Sequence, residues 1–174
     1  MSDGETQKVD LTKATLGPPP AQIKQFDFLI GSWEATTKSY LPDGSLQGEH
    51  RGRLTAEYRN GGRMIIDDFV RLSPEGEEIS YAATMRTFCE ETGMWEMSFL
   101  FSLRQEHTSS FRGRFIDGEG HFDAVIALTP ESSARAKVRF FDIKQSSFEW
   151  SMEHSPDGGE SWFVGERISA KRAA

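Results

Sequence analysis

Four ionisable side chains lie on the apolar faces of predicted strands, an environment that favours acid–base chemistry. They are His50, Asp68, His154 and Glu166. Burial disfavours the charged form of a side chain, so a carboxylate or imidazole among apolar neighbours has a shifted pKa and can exchange a proton with a substrate. We therefore take these four as candidate catalytic residues of a proton-transfer enzyme, such as a cyclase, isomerase or dehydratase.

A structural interpretation of the same residues stands beside the catalytic one. Glu166 could instead be buried and hydrogen-bonded to Tyr81, Tyr58 or a water molecule, and this is the interpretation that we favour. The four candidates also lack any local ligand spacing such as His-x-His, which zinc sites commonly show. We accordingly expect no metal ion and no cofactor.

Short strands are the elements that must position these side chains. From Ser32 to Ala170, apolar and polar residues alternate with period two, and turns rich in Gly, Pro, Asp and Asn interrupt the pattern at short intervals. About ten strands without an intervening helical pattern predict an all-β fold, an antiparallel up-and-down β-barrel, because closure removes the exposed edges of the sheet.

The segment before the first strand has a different character. Residues 1–19 are polar or rich in small residues and Pro, which predicts a flexible N-terminal arm. Pro20 suits the first turn of a helix, so 21–28 is expected to form a short helix that plugs one end of the barrel. The predicted organisation is this arm followed by a single β-barrel domain over residues 20–174.

Alternation assigns side chains to the two faces of each strand. A face that carries large apolar residues is expected to point into the barrel and to contact a ligand there. The residues predicted to bind a ligand in this way are Trp95, Met97, Phe99, Phe101, Tyr81, Phe122, Phe140, Phe148, Trp150, Met152 and Tyr58. On the third and fourth strands, the faces predicted to point inward are those of Met64, Ile66, Asp68 and Val70 and of Ile79, Tyr81, Ala83 and Met85.

Composition excludes several classes of function. The chain of 174 residues has a formal net charge of -7, which opposes attraction to nucleic acid. Its first residues lack the apolar core of a secretory signal, and no apolar run is long enough to span a membrane. Cys89 is the sole cysteine, so no intramolecular disulfide can form. We expect a cytoplasmic protein without a nucleic-acid or membrane partner.

Three motifs together resemble a known family. They are Phe26-x-Phe28-Leu29-x-Gly31-x-Trp33, Gly61-Gly62-Arg63 and Asp157-Gly158-Gly159-x-Ser161-Trp162. These motifs, spread over 26–172, resemble the lipocalin-like, calycin-type barrels of a bacterial family of unknown function. Lipocalins and the haem-binding nitrobindins resemble the chain more distantly, mainly through the Gly-x-Trp.

This resemblance implies structural roles for a few residues. Trp33 is expected to close the barrel floor, and a basic residue of the last strand, Arg167 or Arg172, is expected to lie over its indole in a cation–π contact. A haem would have only His154 as its proximal ligand. Since no matching haem-ligand context surrounds that residue, we expect no haem.

The segment Ser155–Trp162 also matches the Asp-box of sialidase propellers. A single copy cannot build a propeller of several four-stranded blades. The segment therefore predicts a hairpin in which Asp157 accepts hydrogen bonds from turn amides and Trp162 packs beneath.

Three functions follow from these observations. The first is the binding of a small hydrophobic molecule in the barrel lumen. The second is the proton-transfer enzyme described above, and the third is a filled barrel that acts as a homodimeric interaction module. The sequence alone leaves open whether a reaction is catalysed.

Overall fold

Ten antiparallel strands follow one another around a closed barrel, and the first strand pairs with the last. The computed structural model describes residues 17–102, 108–129 and 132–173. The strands are β1 (Gly31–Tyr40), β2 (Leu46–Arg59), β3 (Met64–Leu72), β4 (Glu78–Cys89), β5 (Met94–Phe101), β6 (Ser109–Ile116), β7 (Glu119–Thr129), β8 (Ser132–Phe141), β9 (Ser147–Ser155) and β10 (Phe163–Arg172). The predicted fold class is confirmed. Most of the predicted N-terminal arm lies outside the described residues.

A 3-10 helix, Ala21–Leu29, precedes β1 and plugs one end of the barrel. A 3-10 helix has three residues per turn, so Ile23, Phe26 and Leu29 share one face, and all three are buried. The ring of Phe26 packs edge-on against Trp95, with 4.7 Å between the ring centroids. We call this segment the plug helix, the end that it closes the floor, and the opposite end of the barrel the far end.

Trp33 links the plug helix to the barrel wall at the floor. Its indole Nε1 donates a 2.8 Å hydrogen bond to the carbonyl oxygen of Leu29, and the guanidinium of Arg172 lies 4.2 Å from the centroid of its ring. Arg172 also donates hydrogen bonds to the carbonyl oxygens of Phe28 and Ile30. The contact predicted over Trp33 is therefore made by Arg172, whereas Arg167 is exposed.

The hairpin between β9 and β10 has the predicted arrangement. The Asp157 carboxylate accepts hydrogen bonds from the backbone amides of Glu160 and Ser161. Hydrogen bonds from the Ser155 and Ser161 side chains hold the pKa of Asp157 well below its ordinary value. Trp162 packs outside the barrel, where the ammonium group of Lys137 lies 4.0 Å from the centroid of its ring. The segment is a structural turn.

Within the described ranges, the helices are too short and too polar for any of them to cross a membrane.

Replacing Arg172 with Met should destabilise the barrel. The variant loses the contact with Trp33 and the hydrogen bonds to the Phe28 and Ile30 carbonyls, so the free energy of unfolding should fall by about 1–3 kcal/mol. Urea unfolding followed by tryptophan fluorescence measures the change. The matched control is Arg167→Met, which alters an exposed arginine of the same strand and should stay within about 0.5 kcal/mol of the wild type. Equal effects of the two variants would contradict the role assigned to Arg172.

Candidate functional site

A cavity of about 270 Å³ lies inside the barrel beyond the aromatic cluster of the floor. Ten strands enclose more space than the plug helix fills, because the helix packs only against side chains near the floor. The residues that line the cavity are Leu54, Asp67, Phe69, Arg71, Ser80, Ala82, Thr84, Arg86, Met97, Phe99, Phe101, Phe111, Val138, Phe140, Phe148, Trp150, Met152, Glu166 and Ile168.

Opposite sides of the cavity differ in polarity. Strands β5, β6, β8 and β9 supply only apolar side chains, including Phe99, Phe140 and Trp150. Strands β3, β4 and β10 supply every charged or hydroxyl-bearing side chain among the lining residues, namely Asp67, Arg71, Ser80, Thr84, Arg86 and Glu166. The cavity thus has an apolar wall, mostly aromatic, facing a polar wall.

Most of the predicted ligand-binding residues lie where the alternation placed them. Those that line the cavity are Met97, Phe99, Phe101, Phe140, Phe148, Trp150 and Met152. Trp95 and Phe122 also point inward, but they are buried in the aromatic cluster around Phe26 at the floor. That they contact a ligand stays a prediction.

The predicted faces of β3 and β4 are wrong by one residue. Tyr81 is 49% exposed and Asp68 is exposed, so both point away from the lumen. Their sequence neighbours Ser80, Ala82 and Asp67 point inward instead. On β4 the more polar face, with Ser80 and Thr84, points into the barrel. On β3 each face carries apolar residues and one aspartate, and the inner face is that of Asp67 and Phe69.

The packing between β2 and β3 explains which face of β3 points inward. A Cβ atom at Gly52 would lie 2.6 Å from the Phe69 ring, so the ring occupies the space left by this glycine. With Phe69 inside, the period of two also places Asp67 and Arg71 inside. Directly paired residues of neighbouring strands lie on the same face of a sheet. Because Asp67 pairs with Thr84, Thr84 of β4 also points inward.

Tyr58 also lies outside the lumen. It is 37% exposed, and its hydroxyl donates a hydrogen bond to the Asp27 carboxylate at the floor. Burial and this hydrogen bond raise the pKa of Tyr58. Neither tyrosine proposed as a partner of Glu166 therefore makes that contact.

Glu166 lies inside the barrel, as predicted, and pairs with an arginine. Nη2 of Arg71 donates a 2.9 Å hydrogen bond to Oε2 of Glu166. Burial raises the pKa of the Glu166 carboxyl, while the charges of Arg71 and His50 oppose that increase. Arg71 of β3 and Glu166 of β10 therefore meet toward the far end of the cavity, and His50 of β2 lies near enough for its charge to influence Glu166. Arg71 was not among the predicted site residues.

His154 lies at the far end of β9, against Gly165 of β10. A Cβ atom at Gly165 would approach Cδ2 of His154 to 2.3 Å, so the imidazole rests on backbone that only glycine leaves uncovered. Gly165 also falls at the irregularity in the β9–β10 pairing between Val164 and Glu166. Burial lowers the pKa of His154, which favours the neutral imidazole.

Asp67 and Arg86 form a second ion pair nearer to the floor. Their side chains are only 5% and 6% exposed. The guanidinium of Arg86 lies 5.2 Å from the Phe26 ring centroid and 5.9 Å from that of Phe140. Burial lowers the pKa of Arg86 to about 9, which still leaves the group protonated at neutral pH. The sequence signal for this pair is the two adjacent aspartates of β3. The alternation predicts that Asp68 points inward, whereas the structure places Asp67 there.

The described side chains contain no cluster typical of a metal site. No three His, Cys, Asp or Glu side chains of the described chain lie close enough together to hold a metal ion. His154 is not among the residues that line the cavity. That the protein binds no haem stays a prediction.

Removing the Arg71 charge should raise the pKa of Glu166 further, since Arg71 stabilises the carboxylate. Carboxyl chemical shifts from an NMR titration of the Arg71→Met variant measure this pKa. The control, Arg167→Met, removes an exposed positive charge next to Glu166 in the sequence and should leave the Glu166 pKa nearly unchanged. A fall in the Glu166 pKa on removal of Arg71 would contradict the ion pair.

The same burial predicts how stability depends on pH. The Glu166 pKa is higher in the folded protein than in the unfolded chain, so the folded state binds this proton more tightly. The contribution of Glu166 to stability is therefore largest below the unfolded pKa and is lost as pH rises through the folded pKa. Urea unfolding at several pH values should show a weaker decrease over that interval for Glu166→Gln than for the wild type.

Solved structures of other proteins share this fold. The chain is similar to Rv2717c from M. tuberculosis, with a TM-score of 0.65 and 12% sequence identity over 90% of this chain and 99% of that chain. It is also similar to the S-type phycobiliprotein lyase CPES from Guillardia theta, with a TM-score of 0.57 and 12% identity over 90% of this chain and 99% of that chain. No family model and no curated protein sequence matches the chain. At this level of identity the similarity concerns the fold, and the chain folds as a lipocalin-like closed β-barrel.

Proposed function

We propose that the protein binds a small, largely aromatic or aliphatic molecule in the barrel lumen. The observation that carries this proposal is the cavity of about 270 Å³ between an apolar and a polar wall. Ligand sites are typically apolar concavities with a few polar groups that orient the ligand. A lipocalin-like barrel is a fold whose interior commonly holds one small ligand.

The size of the cavity limits the ligand. A dry cavity of about 150 Å³ holds a benzene molecule. In proportion, a cavity of about 270 Å³ holds roughly a dozen non-hydrogen atoms, the size of a substituted two-ring aromatic compound. Met97 and Met152 line the cavity and can adapt their shape to such a ring system.

Filling the cavity should weaken ligand binding. Ala82 lines the lumen, and the Ala82→Phe variant places a phenyl ring in the ligand space without changing a polar group. Titration with a fluorescent apolar probe, N-phenylnaphthylamine, should show a loss of affinity of about tenfold or more, which corresponds to about 1.4 kcal/mol.

Ala83→Phe is the matched control for this substitution. Ala83 is the next residue of β4 and pairs with the exposed residues Asp68 and Leu100, so it lies on the outer face. This variant should bind the probe as the wild type does. If only Ala83→Phe changed the affinity, the probe would bind outside the barrel and lumen binding would be refuted. Native mass spectrometry of the purified protein would also detect a retained ligand.

One observation favours proton transfer as a second candidate function. Glu166 combines burial in the cavity wall with a raised pKa and neighbouring groups, Arg71 and His50, that can influence its proton. A general acid or base needs such tuning. His154 remains a candidate partner because its imidazole packs against Gly165, the residue before Glu166. Asp68 points outward, so it could act only on a substrate outside the lumen.

The homodimer remains a separate proposal. The outward faces of β4 and β5 expose Ile79, Tyr81, Met85 and Leu100, each at 39% or more. Exposed apolar patches often mark association surfaces. A cytoplasmic location likewise remains our expectation from the sequence.

A further inference from the structure

Polar side chains of three kinds meet in the wall of the cavity near the floor. Asp67 on β3 pairs across the strands with Thr84 on β4, and Arg86 follows two residues later on the same face. All three are buried and line the cavity. This corner of the cavity therefore contains a carboxylate, a hydroxyl and a guanidinium.

The charges in this corner cancel. The guanidinium of Arg86 contacts the carboxylate of Asp67 directly. The other charged lining residues, Arg71 and Glu166, pair with each other, and Arg71 lies four residues from Asp67, about 13 Å along an extended strand. A charged ligand group placed beside Asp67 and Arg86 would lack a counter-charge of its own, and an unpaired buried charge is strongly disfavoured.

Hydrogen-bonding capacity nevertheless remains on the pair. Nε of Arg86 is buried and has no hydrogen-bond partner among the described residues. A guanidinium offers five N–H donors and a carboxylate about four acceptor positions, more than one direct contact uses. An apolar ligand end at this point would leave these groups without partners, which costs free energy.

We propose that the inner end of the ligand is an uncharged group with both a hydrogen-bond donor and an acceptor, of the carboxamide or lactam class. Its carbonyl oxygen accepts from Arg86 and its N–H donates to Asp67, while its apolar body lies against Phe99, Phe140 and Trp150. This inference rests on the proposed function, since it uses the same cavity. The inference excludes a ligand whose inner end is a carboxylate that pairs with Arg86.

Three probes of nearly the same shape test the inference by isothermal titration calorimetry at neutral pH. They are naphthalene carboxamide, ionised naphthalene carboxylate and isopropylnaphthalene. The wild type should bind the carboxamide about tenfold more tightly than the hydrocarbon, and the carboxylate least tightly. Equal affinity for carboxamide and hydrocarbon, or a preference for the carboxylate, would overturn the inference.

Two variants of the buried pair identify the residues responsible. Asp67→Asn leaves the Arg86 charge without its partner, so the carboxylate should gain about tenfold relative to the carboxamide. The double variant Asp67→Leu/Arg86→Met replaces the pair by apolar side chains, which proteins often tolerate, and should keep hydrocarbon binding while losing the carboxamide preference. The double variant decides the question if Asp67→Asn does not fold, as judged by circular dichroism.

The ion pair toward the far end, Arg71 with Glu166, provides the matched control. Arg71→Met/Glu166→Leu removes the other ion pair of the cavity and should leave the carboxamide preference intact. If this variant lost the preference and Asp67→Leu/Arg86→Met kept it, the polar end would lie toward the far end, against our inference. If the wild type bound none of the probes, the proposed function would fail together with the inference; hydrocarbon binding without a carboxamide preference would refute the inference alone.

Discussion

The packing of Phe26 against the barrel wall is the constraint on which the lumen depends. This fully buried ring lies 4.7 Å from Trp95 and 5.0 Å from Phe115, measured between centroids, and also contacts Phe140. A closed barrel of ten strands has an interior too wide to be filled by short side chains alone, so one end needs an inserted element. The plug helix provides that element at the floor. The space beyond its reach is the cavity.

Arg86 connects this aromatic floor to the polar wall. Its guanidinium lies near the rings of Phe26 and Phe140 and contacts Asp67, so aromatic faces and a carboxylate share the stabilisation of one buried cation. Replacing such an ion pair by apolar side chains often leaves stability unchanged or improves it. Stability is therefore a weak reason for this barrel to contain the pair, whereas the recognition of a polar ligand group that we propose would give the pair a role.

The sequence predicted the barrel well because its strongest signals are local. Alternation in β5, β8 and β9 is unambiguous, with Trp95, Met97 and Phe99 opposed to Glu96 and Ser98, and these strands carry most of the apolar wall. The polar wall could not be predicted in the same way. On β3, apolar residues and an aspartate occur on both faces, so the pattern fits either register. What fixes the register is Phe69 against Gly52, a contact between strands that no single-strand pattern contains.

β4 shows why the hydrophobic rule itself fails at this site. Its more apolar face, with Ile79, Tyr81 and Met85, points outward, and Ser80, Thr84 and Arg86 point into the lumen. Inward polar groups are expensive in a filled core, yet they are compatible with a cavity in which a ligand or water can complete their hydrogen bonds. The inversion on β4 is thus a property of the lumen rather than of the strand. The strand that departs most from the expected pattern contributes the greatest share of the polar wall, so most of the polar groups that face the cavity lie on the β3–β4 hairpin.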